Sequence, residues 1–408
     1  MKSLFSSRES SIRQLSDDAA QQKGAYRFLN NEKVSEEALI ESCCERTKIL
    51  CKDKHLLVLN DTTEINLQKH SGISSIGYSS INLWHRDLDK KTKEDRSYNK
   101  LPIEEKESYK WIKCCTDSKE VLEDAASITV LGDRESDIYE LFIDAKSQNV
   151  EVLARNKTDR KTSEGKKIYQ TLSETEVCGS YEIEIVNDNR KQTQKHKAVL
   201  EVKFSEVLIK KPENKKDDRP KEIKIWAVEA KEQNKTNGVC WRLLTTHCIE
   251  NYEQAVQMVE WYQMRWFIEQ VFRLLKNKGY QIEKSELETG WALRKLTILL
   301  LQNVLKVMQM LIAYNGTSEE EDAGLIFNES EIECLMKLNI KSQGKTEKLK
   351  NPYRTNSLKW STWIIARLGG WSGYQSQRPP GPITLKNGLD KFCHVFMGWK
   401  MAKDVGTR

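Results

Sequence analysis

The chain has 408 residues, with 66 Lys and Arg against 60 Asp and Glu, and a formal net charge of +6 at pH 7. That length is enough for two or three domains, and a charge this small does not by itself indicate a polyanionic partner. Hydrophobic residues at 38% and charged residues at 31% exclude a membrane-embedded class and predict a soluble protein with a charged surface.

Cysteine and histidine usage argues against zinc sites and disulfides. The 10 cysteines contain no C-x-x-C pair, and the 6 histidines show no ligand spacing. The adjacent pairs Cys43–Cys44 and Cys114–Cys115 fall in predicted helices, which suit neither a metal knuckle nor a local disulfide. We therefore expect reduced thiols and a cytoplasmic protein.

The first 50 residues are predicted to be helical. They end in the amphipathic stretch Ser35–Leu50, and the segment Met1–Ser7 has no long apolar run. A signal peptide is therefore not expected.

Two apolar runs each predict a short buried strand that leads to an aspartate. The run His55–Leu59 precedes Asp61, and the run Ser127–Gly132 precedes Asp133, after which a turn leads into a predicted helix. An acid at the carboxyl end of a buried strand is where α/β proteins often place chemistry. Each aspartate alone is equally a usual turn former or helix N-cap, so both interpretations stay open.

A set of antiparallel strands is predicted after residue 155. Three segments alternate apolar and polar residues: Tyr181–Val186, Ala198–Lys210 and Glu222–Ala230. Basic clusters at 190–197 and 210–216 lie at the ends of these strands. Such clusters either meet DNA phosphates or form solvated loops, and the sequence favours neither.

A helical pattern over Ala255–Leu275 leads into four polar residues that share one side. Tyr262, Arg265, Glu269 and Lys276 are separated by three, four and seven residues, which places them within an arc of about 60°. A phenol, a guanidinium, a carboxylate and an ammonium on a core-forming helix are costly unless a polar group fills the site. The simpler alternative is a surface ion pair between Arg265 and Glu269 at i,i+4.

The C-terminal third is predicted to be helical. The apolar stretch Leu293–Ala313 is interrupted by polar residues, which indicates a core helix and not a membrane span. A Pro/Gly break follows at 378–382. Between them lies a set of apolar residues that suits either intramolecular packing or an interface: Trp360, Trp363, Ile364, Leu368 and Trp371.

Six short motifs occur in a fixed order along nearly the whole chain. The stronger ones are Asn60–Thr63, Gly132–Ile138 and the Y-x2-R-x3-E-x6-K pattern of 262–276. The weaker ones are Gly24–Asn30, Trp241–Thr246 and Ile365–Gly370. In content and order these motifs resemble the DDE transposases of the insertion sequence 4 family.

The resemblance implies an α/β fold, with a ribonuclease H-like catalytic core, an antiparallel β insertion domain and helical N- and C-terminal regions. The implied regions are a DNA-binding region at 1–50, the core at 51–155 and 238–328, the insertion at 156–237, and a helical region at 329–408 that is a candidate for dimerisation.

The resemblance also implies the site residues. Asp61, Asp133 and Glu269 would bind two Mg²⁺ or Mn²⁺ ions, consistent with an oxygen-rich donor set. The implied DNA contacts are Tyr262, Arg265, Lys276, Trp241, Trp266 and Arg27, of which Trp241 is also explained as a core aromatic. The implied partners are double-stranded DNA, both inverted-repeat ends and target, and a second copy of the chain on that DNA, with no membrane.

Two departures from the family pattern bear on activity. Only 23 residues precede Gly24, whereas the family has more chain there, so recognition of the element ends is in doubt. Between Asp61 and Lys110 the sequence predicts one strand, Ile76–Trp84, where the family has two. A lost strand would leave backbone groups unpaired beside Asp61, and we therefore expect weak or absent catalysis.

Three functions remain open on the sequence. The first is a DDE transposase, intact or degraded. The second is a ribonuclease H-type metal-dependent nuclease, which needs the three acids but not the Tyr262, Arg265 and Trp241 group. The third is a non-catalytic DNA-binding protein derived from a transposase, whose DNA affinity would be insensitive to loss of Asp133.

Overall fold

The computed structural model describes residues 19–61, 101–185, 196–215, 217–233, 235, 238–276, 279–316, 321–374 and 377–405. The predicted strand Ile76–Trp84 lies outside these residues, so the shortened meander stays a prediction. The chain divides into two compact units. The sheet unit is Cys44–Thr63 with Ser75–Ile268, and the helical unit is Met1–Cys43, Glu64–Ser74 and Glu269–Arg408.

The helices and strands within the described residues follow in chain order. The strands are β1 (His55–Leu59), β2 (Ser127–Gly132), β3 (Glu151–Arg155), β4 (Gly179–Ile185), β5 (His196–Lys210), β6 (Glu222–Glu232) and β7 (Cys240–Thr245). The helices are α1 (Ala19–Leu29), α2 (Glu36–Cys51), α3 (Tyr109–Val121), α4 (Tyr139–Ser147), α5 (Ile168–Glu174), α6 (Tyr252–Met264), α7 (Trp266–Leu275), α8 (Gly290–Asn315), α9 (Glu329–Ser342), α10 (Leu358–Leu368) and α11 (Pro382–Val405).

The sheet unit contains one mixed sheet of seven strands in the order β1-β2-β3-β7-β6-β5-β4. The first three strands run parallel to one another, and every other neighbouring pair is antiparallel. The three antiparallel segments predicted from alternation are present as β4, β5 and β6, and they extend the same sheet as β1–β3. The α/β class predicted from the sequence is thereby confirmed.

Successive side chains of a strand point to opposite faces of the sheet. Helices cover both faces, because both faces carry apolar side chains. On β2, Val130 belongs to the same apolar core as residues of α3, α4 and α5, whereas its neighbour Leu131 belongs to a second core that includes residues of α6. The result is three layers with two apolar cores. A strand that is buried on both faces has a continuous run of apolar residues in its sequence, and β2 is such a strand.

The loop between β5 and β6 is fixed to α4. The Arg219 guanidinium donates to both carboxylate oxygens of Asp144, from Nε at 2.8 Å and from Nη2 at 2.7 Å. The Tyr139 hydroxyl donates to the Pro220 carbonyl oxygen at 2.8 Å. The hydrogen bonds to Asp144 raise the pKa of Arg219 above its ordinary value. Planar, bidentate pairs of this kind are among the stronger polar contacts in proteins.

Two lysines of the same loop form ion pairs with acidic side chains of the protein. Lys211 pairs with Asp217 at 2.8 Å, and Lys215 pairs with the buried carboxylate of Glu140. Both lysine side chains are largely shielded from solvent. Asp217 belongs to the same loop as Lys211, whereas Glu140 belongs to α4. The solvated-loop interpretation is therefore wrong for these two residues, and a phosphate contact stays a prediction.

The helical unit has α8 as its central element. By length and composition it is the one described helix that could cross a membrane, and 67% of its most apolar window is buried inside the protein. That burial agrees with the predicted core helix. Trp360, Trp363 and Ile364 of α10 are also fully buried, so intramolecular packing explains them. The Pro/Gly break ends where Pro382 opens α11, a position that suits proline.

The prediction of one continuous helix over Ala255–Leu275 was wrong at Arg265. Helix α6 ends at Met264, α7 begins at Trp266, and Arg265 lies in a turn between them. The Arg265 N–H donates to the Tyr262 carbonyl oxygen at 3.1 Å, and the Ile268 N–H donates to the Arg265 carbonyl oxygen at 3.1 Å. These i→i+3 bonds are the tighter 3₁₀ pattern, which interrupts the α-helical repeat.

Candidate active site at the carboxyl ends of β1 and β2

Asp61 and Asp133 lie at the same edge of the sheet. Strands β1 and β2 are parallel neighbours in which Leu59 is the partner of Leu131. The Asn60 N–H continues the ladder by donating to the Leu131 carbonyl oxygen at 2.8 Å. Each aspartate follows its paired leucine by two residues, so the two occupy equivalent register positions on strands about 4.8 Å apart. The carboxyl edge of parallel strands is the usual position of α/β active sites.

The backbone at Asp133 is fixed by a short turn. Its Oδ1 accepts a hydrogen bond from the Glu135 N–H at 2.7 Å, which caps the 3₁₀ turn Arg134–Ser136. The Ser136 hydroxyl donates to the Asp133 carbonyl oxygen at 2.7 Å. The N-cap interpretation of Asp133 is therefore confirmed, and it leaves Oδ2 without a hydrogen-bond partner among the described residues.

The turn requires glycine at position 132, because a side chain there would collide with Ser136. A Cβ at Gly132 would lie 1.9 Å from Ser136 Oγ and 2.4 Å from Ser136 Cβ. No side chain fits at that separation without moving the turn. Glycine at this position thus allows the strand to end directly beside the carboxylate of Asp133.

Asp61 forms an ion pair with Arg265. Arg265 Nη1 lies 2.6 Å from Asp61 Oδ2, and each side chain is 16% exposed. A charge-assisted hydrogen bond in a partly buried position is stronger than a surface ion pair. This contact with Asp61 is a salt bridge that the structure describes for Arg265. The pattern along the helix gave no sign of it, because the two residues are 204 positions apart.

Asp137 is a structural acid within the motif Gly132–Ile138. Its side chain is fully buried, its Oδ2 accepts from the Lys157 N–H at 2.8 Å, and it pairs with Arg160. The Asn156 side-chain amide donates to the same oxygen at 3.1 Å. These contacts join the start of α4 to the segment after β3. The sequence signal was a third acid in the motif, but its role could not be separated from that of Asp133.

The predicted aromatic residues differ in exposure. The rings of Trp241 on β7 and Tyr262 on α6 meet edge to face with centroids 6.3 Å apart. Tyr262 is only 7% exposed and belongs to the core under α6, while Trp241 is half-buried against that core. The core interpretation of Trp241 is supported by this packing. Trp266, in contrast, is 53% exposed.

The remaining predicted residues belong to the helical unit. Glu269 is exposed on α7, Lys276 follows the end of that helix and is half-buried, and Arg27 is exposed on α1. Within the residues that the structure describes, no group of three or more His, Cys, Asp or Glu side chains could hold a metal ion. The triad of Asp61, Asp133 and Glu269 therefore stays a prediction.

The donor chemistry of the two aspartates nevertheless fits a divalent cation. Both are carboxylates, which are the ligands that Mg²⁺ and Mn²⁺ prefer. One of them, Asp61, already holds a cationic group of the protein, Arg265, at 2.6 Å. Its surroundings therefore accommodate a positive charge beside one of its carboxylate oxygens.

A second polar cluster, around the start of β1, was not foreseen from the sequence. Thr129 Oγ1 lies 2.9 Å from His55 Nε2 and 2.8 Å from His247 Nε2, and Trp261 packs against both rings. One hydroxyl proton serves both contacts, so one imidazole accepts it while the other donates. Burial lowers the pKa of His247, with Glu151 opposing and His55 adding to that shift. The cluster involves the first residue of β1, whereas Asp61 follows the last.

A model of a known protein family matches part of the chain. It covers residues 116–302, a range that includes Asp133, Glu269 and the Y-x2-R-x3-E-x6-K pattern, while Asp61 precedes it. The family is described as the transposase DDE domain. Residues 116–302 are thus similar to a transposase DDE domain, which confirms the resemblance at that level.

Proposed function

We propose that the protein is a DDE transposase that cuts the ends of a DNA element and joins them to target DNA, with an activity that the strand predicted to be missing after Asp61 would make weak. The match to a transposase DDE domain supports a polynucleotidyl transferase. The observation that carries the assignment of the site is the equivalent register of Asp61 and Asp133 at the ends of β1 and β2. Glu269 is the proposed third carboxylate of a ribonuclease H-like core of the insertion sequence 4 type.

The three acids would hold two Mg²⁺ or Mn²⁺ ions. When bound, such ions activate water or a DNA 3′-hydroxyl and stabilise the leaving oxygen of an in-line phosphoryl transfer. The contribution of the chain is geometric. The β1–β2 ladder sets the separation of Asp61 and Asp133, and the capped turn after Gly132 fixes the backbone from which the Asp133 carboxylate projects.

DNA contacts would come from residues around the turn between α6 and α7. Trp266 follows Arg265 directly, and its exposed ring suits stacking on an unpaired base. Arg265 and Lys276 would bind backbone phosphates, which a guanidinium can grip with two parallel hydrogen bonds. The buried Tyr262 and the half-buried Trp241 would support the turn from the sheet unit.

The proposed substrate is double-stranded DNA, and the proposed assembly is a homodimer formed on paired element ends in the cytosol or nucleoid. Arg27, exposed on α1, is a further proposed DNA contact. Exposed positive side chains on a helix suit the sequence-independent, salt-sensitive part of DNA binding.

A second candidate is a DNA-binding protein derived from a transposase that does not cut. The specific observation in its favour is the ion pair between Arg265 and Asp61, which occupies one of the carboxylate oxygens that catalysis needs. This candidate retains the exposed Trp266 and the basic residues, so it predicts DNA affinity without cleavage.

Cleavage of a supercoiled plasmid carrying the element's own flanking inverted repeats separates the two candidates. It is run with Mg²⁺ or Mn²⁺, with Asp133→Ala and Glu269→Ala as controls. Cuts at the repeat ends that disappear in both controls support the transposase. DNA binding without cuts, unchanged in Asp133→Ala, supports the second candidate. Cuts that persist in both controls refute the assignment of the site.

A further inference from the structure

Arg265 is held at both its main chain and its side chain. The main chain lies in the tight turn between α6 and α7, with i→i+3 bonds on both sides. The side chain reaches Asp61 at 2.6 Å, in a position where both groups are 16% exposed. The residues on either side of it, Met264 and Trp266, are 42% and 53% exposed. The guanidinium thus lies against a partly buried carboxylate, on a turn whose two flanking side chains are exposed.

We infer that Arg265 couples DNA binding to metal binding by exchanging Asp61 for a DNA phosphate. This inference rests on the proposed function, because it assumes that Asp61 is a metal ligand and that DNA is the substrate. In the protein without DNA, the guanidinium neutralises Asp61. When DNA arrives, a phosphate takes the guanidinium, and the carboxylate becomes available to a divalent cation.

Competition at one oxygen is the physical basis of this coupling. The guanidinium and a divalent cation both require Asp61 Oδ2 or its immediate surroundings, and two positive charges at that distance repel each other. A cation therefore binds only as the guanidinium leaves, which weakens metal binding in the absence of DNA.

A phosphate is suited to complete the exchange. It offers oxygens with the bidentate geometry that guanidinium prefers, and it supplies the negative charge that Arg265 loses on leaving Asp61. By linkage, if DNA strengthens metal binding by a given factor, the metal strengthens DNA binding by the same factor. The arrangement would confine metal loading to the DNA-bound protein and thereby limit cutting at unselected sites.

The test is Mn²⁺ binding to the full-length chain, measured by isothermal titration calorimetry with and without a 20-base-pair DNA duplex at fixed ionic strength. For the wild type, the duplex is expected to strengthen Mn²⁺ binding by about tenfold, a typical coupling between two sites. Arg265→Gln is expected to bind Mn²⁺ about tenfold more tightly than the wild type without DNA, and to gain no more than about twofold from the duplex.

Three further variants make the outcome specific. Arg273→Gln removes an exposed arginine of α7, the helix that follows Arg265, and is expected to match the wild type. Arg265→Lys keeps the charge and is expected to keep weak Mn²⁺ binding without DNA, which guards against a folding defect in Arg265→Gln. Asp133→Asn is expected to lose Mn²⁺ binding in both conditions.

The outcomes separate the inference from the proposed function. Equal Mn²⁺ affinity in the wild type and Arg265→Gln, with binding lost in Asp133→Asn, overturns the coupling and leaves the metal site intact. An equal gain from DNA in the wild type and Arg265→Gln also overturns the coupling. No Mn²⁺ binding by any of the folded proteins, with or without DNA, overturns both the coupling and the metal site.

Discussion

The turn that positions Asp133 depends on the absence of a side chain at Gly132, and this dependence can be measured. In Gly132→Ala the added methyl would lie 1.9 Å from Ser136 Oγ and 2.4 Å from Ser136 Cβ, distances that real structures do not show. Ser136 is fully buried and its hydroxyl donates to the Asp133 carbonyl oxygen. Either the turn moves by roughly 1 Å or the hydrogen bond breaks, and overpacking of this kind costs about 1–3 kcal/mol.

The cause of that cost is testable with a second substitution. Ser136→Gly alone removes the hydrogen bond and frees the backbone, at a cost of about 1–2 kcal/mol. With Ser136→Gly present, the nearest of the atoms given for the new methyl is Ser136 Cα at 3.9 Å, which is ordinary contact. The double variant is therefore expected to be more stable than the sum of the single variants predicts, by about 1–3 kcal/mol.

The assay is the free energy of unfolding from urea titration followed by circular dichroism, for the wild type and the three variants. Gly24→Ala provides a matched control, because its Cβ meets no atom within 4 Å and it lies in helix α1. That control is expected to be neutral or to stabilise the protein by up to about 1 kcal/mol. Strict additivity of Gly132→Ala and Ser136→Gly would refute the steric explanation.

Three other predictions follow from buried or exposed groups. Asp137→Ala is expected to lower the free energy of unfolding by about 3–5 kcal/mol in urea titration, because it leaves Arg160 without its carboxylate partner. A decrease in that free energy of less than about 1 kcal/mol would contradict the role of this ion pair. The pKa of His247 is lowered below its ordinary value of 6.5, so its contribution to stability is present above that pH and is lost as the pH falls through the folded-state pKa. Thermal melting between pH 7.5 and pH 5 should show a decline that His247→Gln reduces, and an equal decline in the variant would contradict the assignment. Trp266→Ala is expected to weaken DNA binding in a fluorescence-anisotropy titration without changing the melting temperature. Trp360→Ala, at a buried position, is expected to lower the melting temperature. A fall in melting temperature of similar size in both variants would count against a DNA contact at Trp266.

The elements predicted correctly are those with a strong local pattern. Strand β2 is a short, continuous apolar run and helix α8 is a long, largely apolar one, and each has a clear boundary, so their burial follows from composition and length. The positions of Asp61 and Asp133 at strand ends follow from where such runs stop. Two parallel strands then bring these ends to one edge, which the structure shows and the sequence only indicated.

The features that were missed depend on partners far away in the sequence. The turn at Arg265 interrupts a helix whose apolar repeat continues through it, and the carboxylate that Arg265 contacts lies 204 residues away. The loop after β5 contains lysines and an arginine that look solvated, but Arg219 finds Asp144 across 75 residues. No periodicity or short motif reports such contacts, because they are set by the packing of elements against each other.

Iron-mediated cleavage of the protein can show whether Asp61 and Asp133 share one metal site. Fe²⁺ occupies oxygen-rich Mg²⁺ sites and, with hydrogen peroxide as oxidant and ascorbate to regenerate Fe²⁺, produces hydroxyl radicals that break the polypeptide next to the bound ion. With DNA present, we expect breaks close to both Asp61 and Asp133, suppressed by excess Mg²⁺ and abolished in Asp133→Asn. Breaks elsewhere in the chain, or breaks near Asp61 and Asp133 that persist in Asp133→Asn, would contradict a shared metal site at the carboxyl ends of β1 and β2.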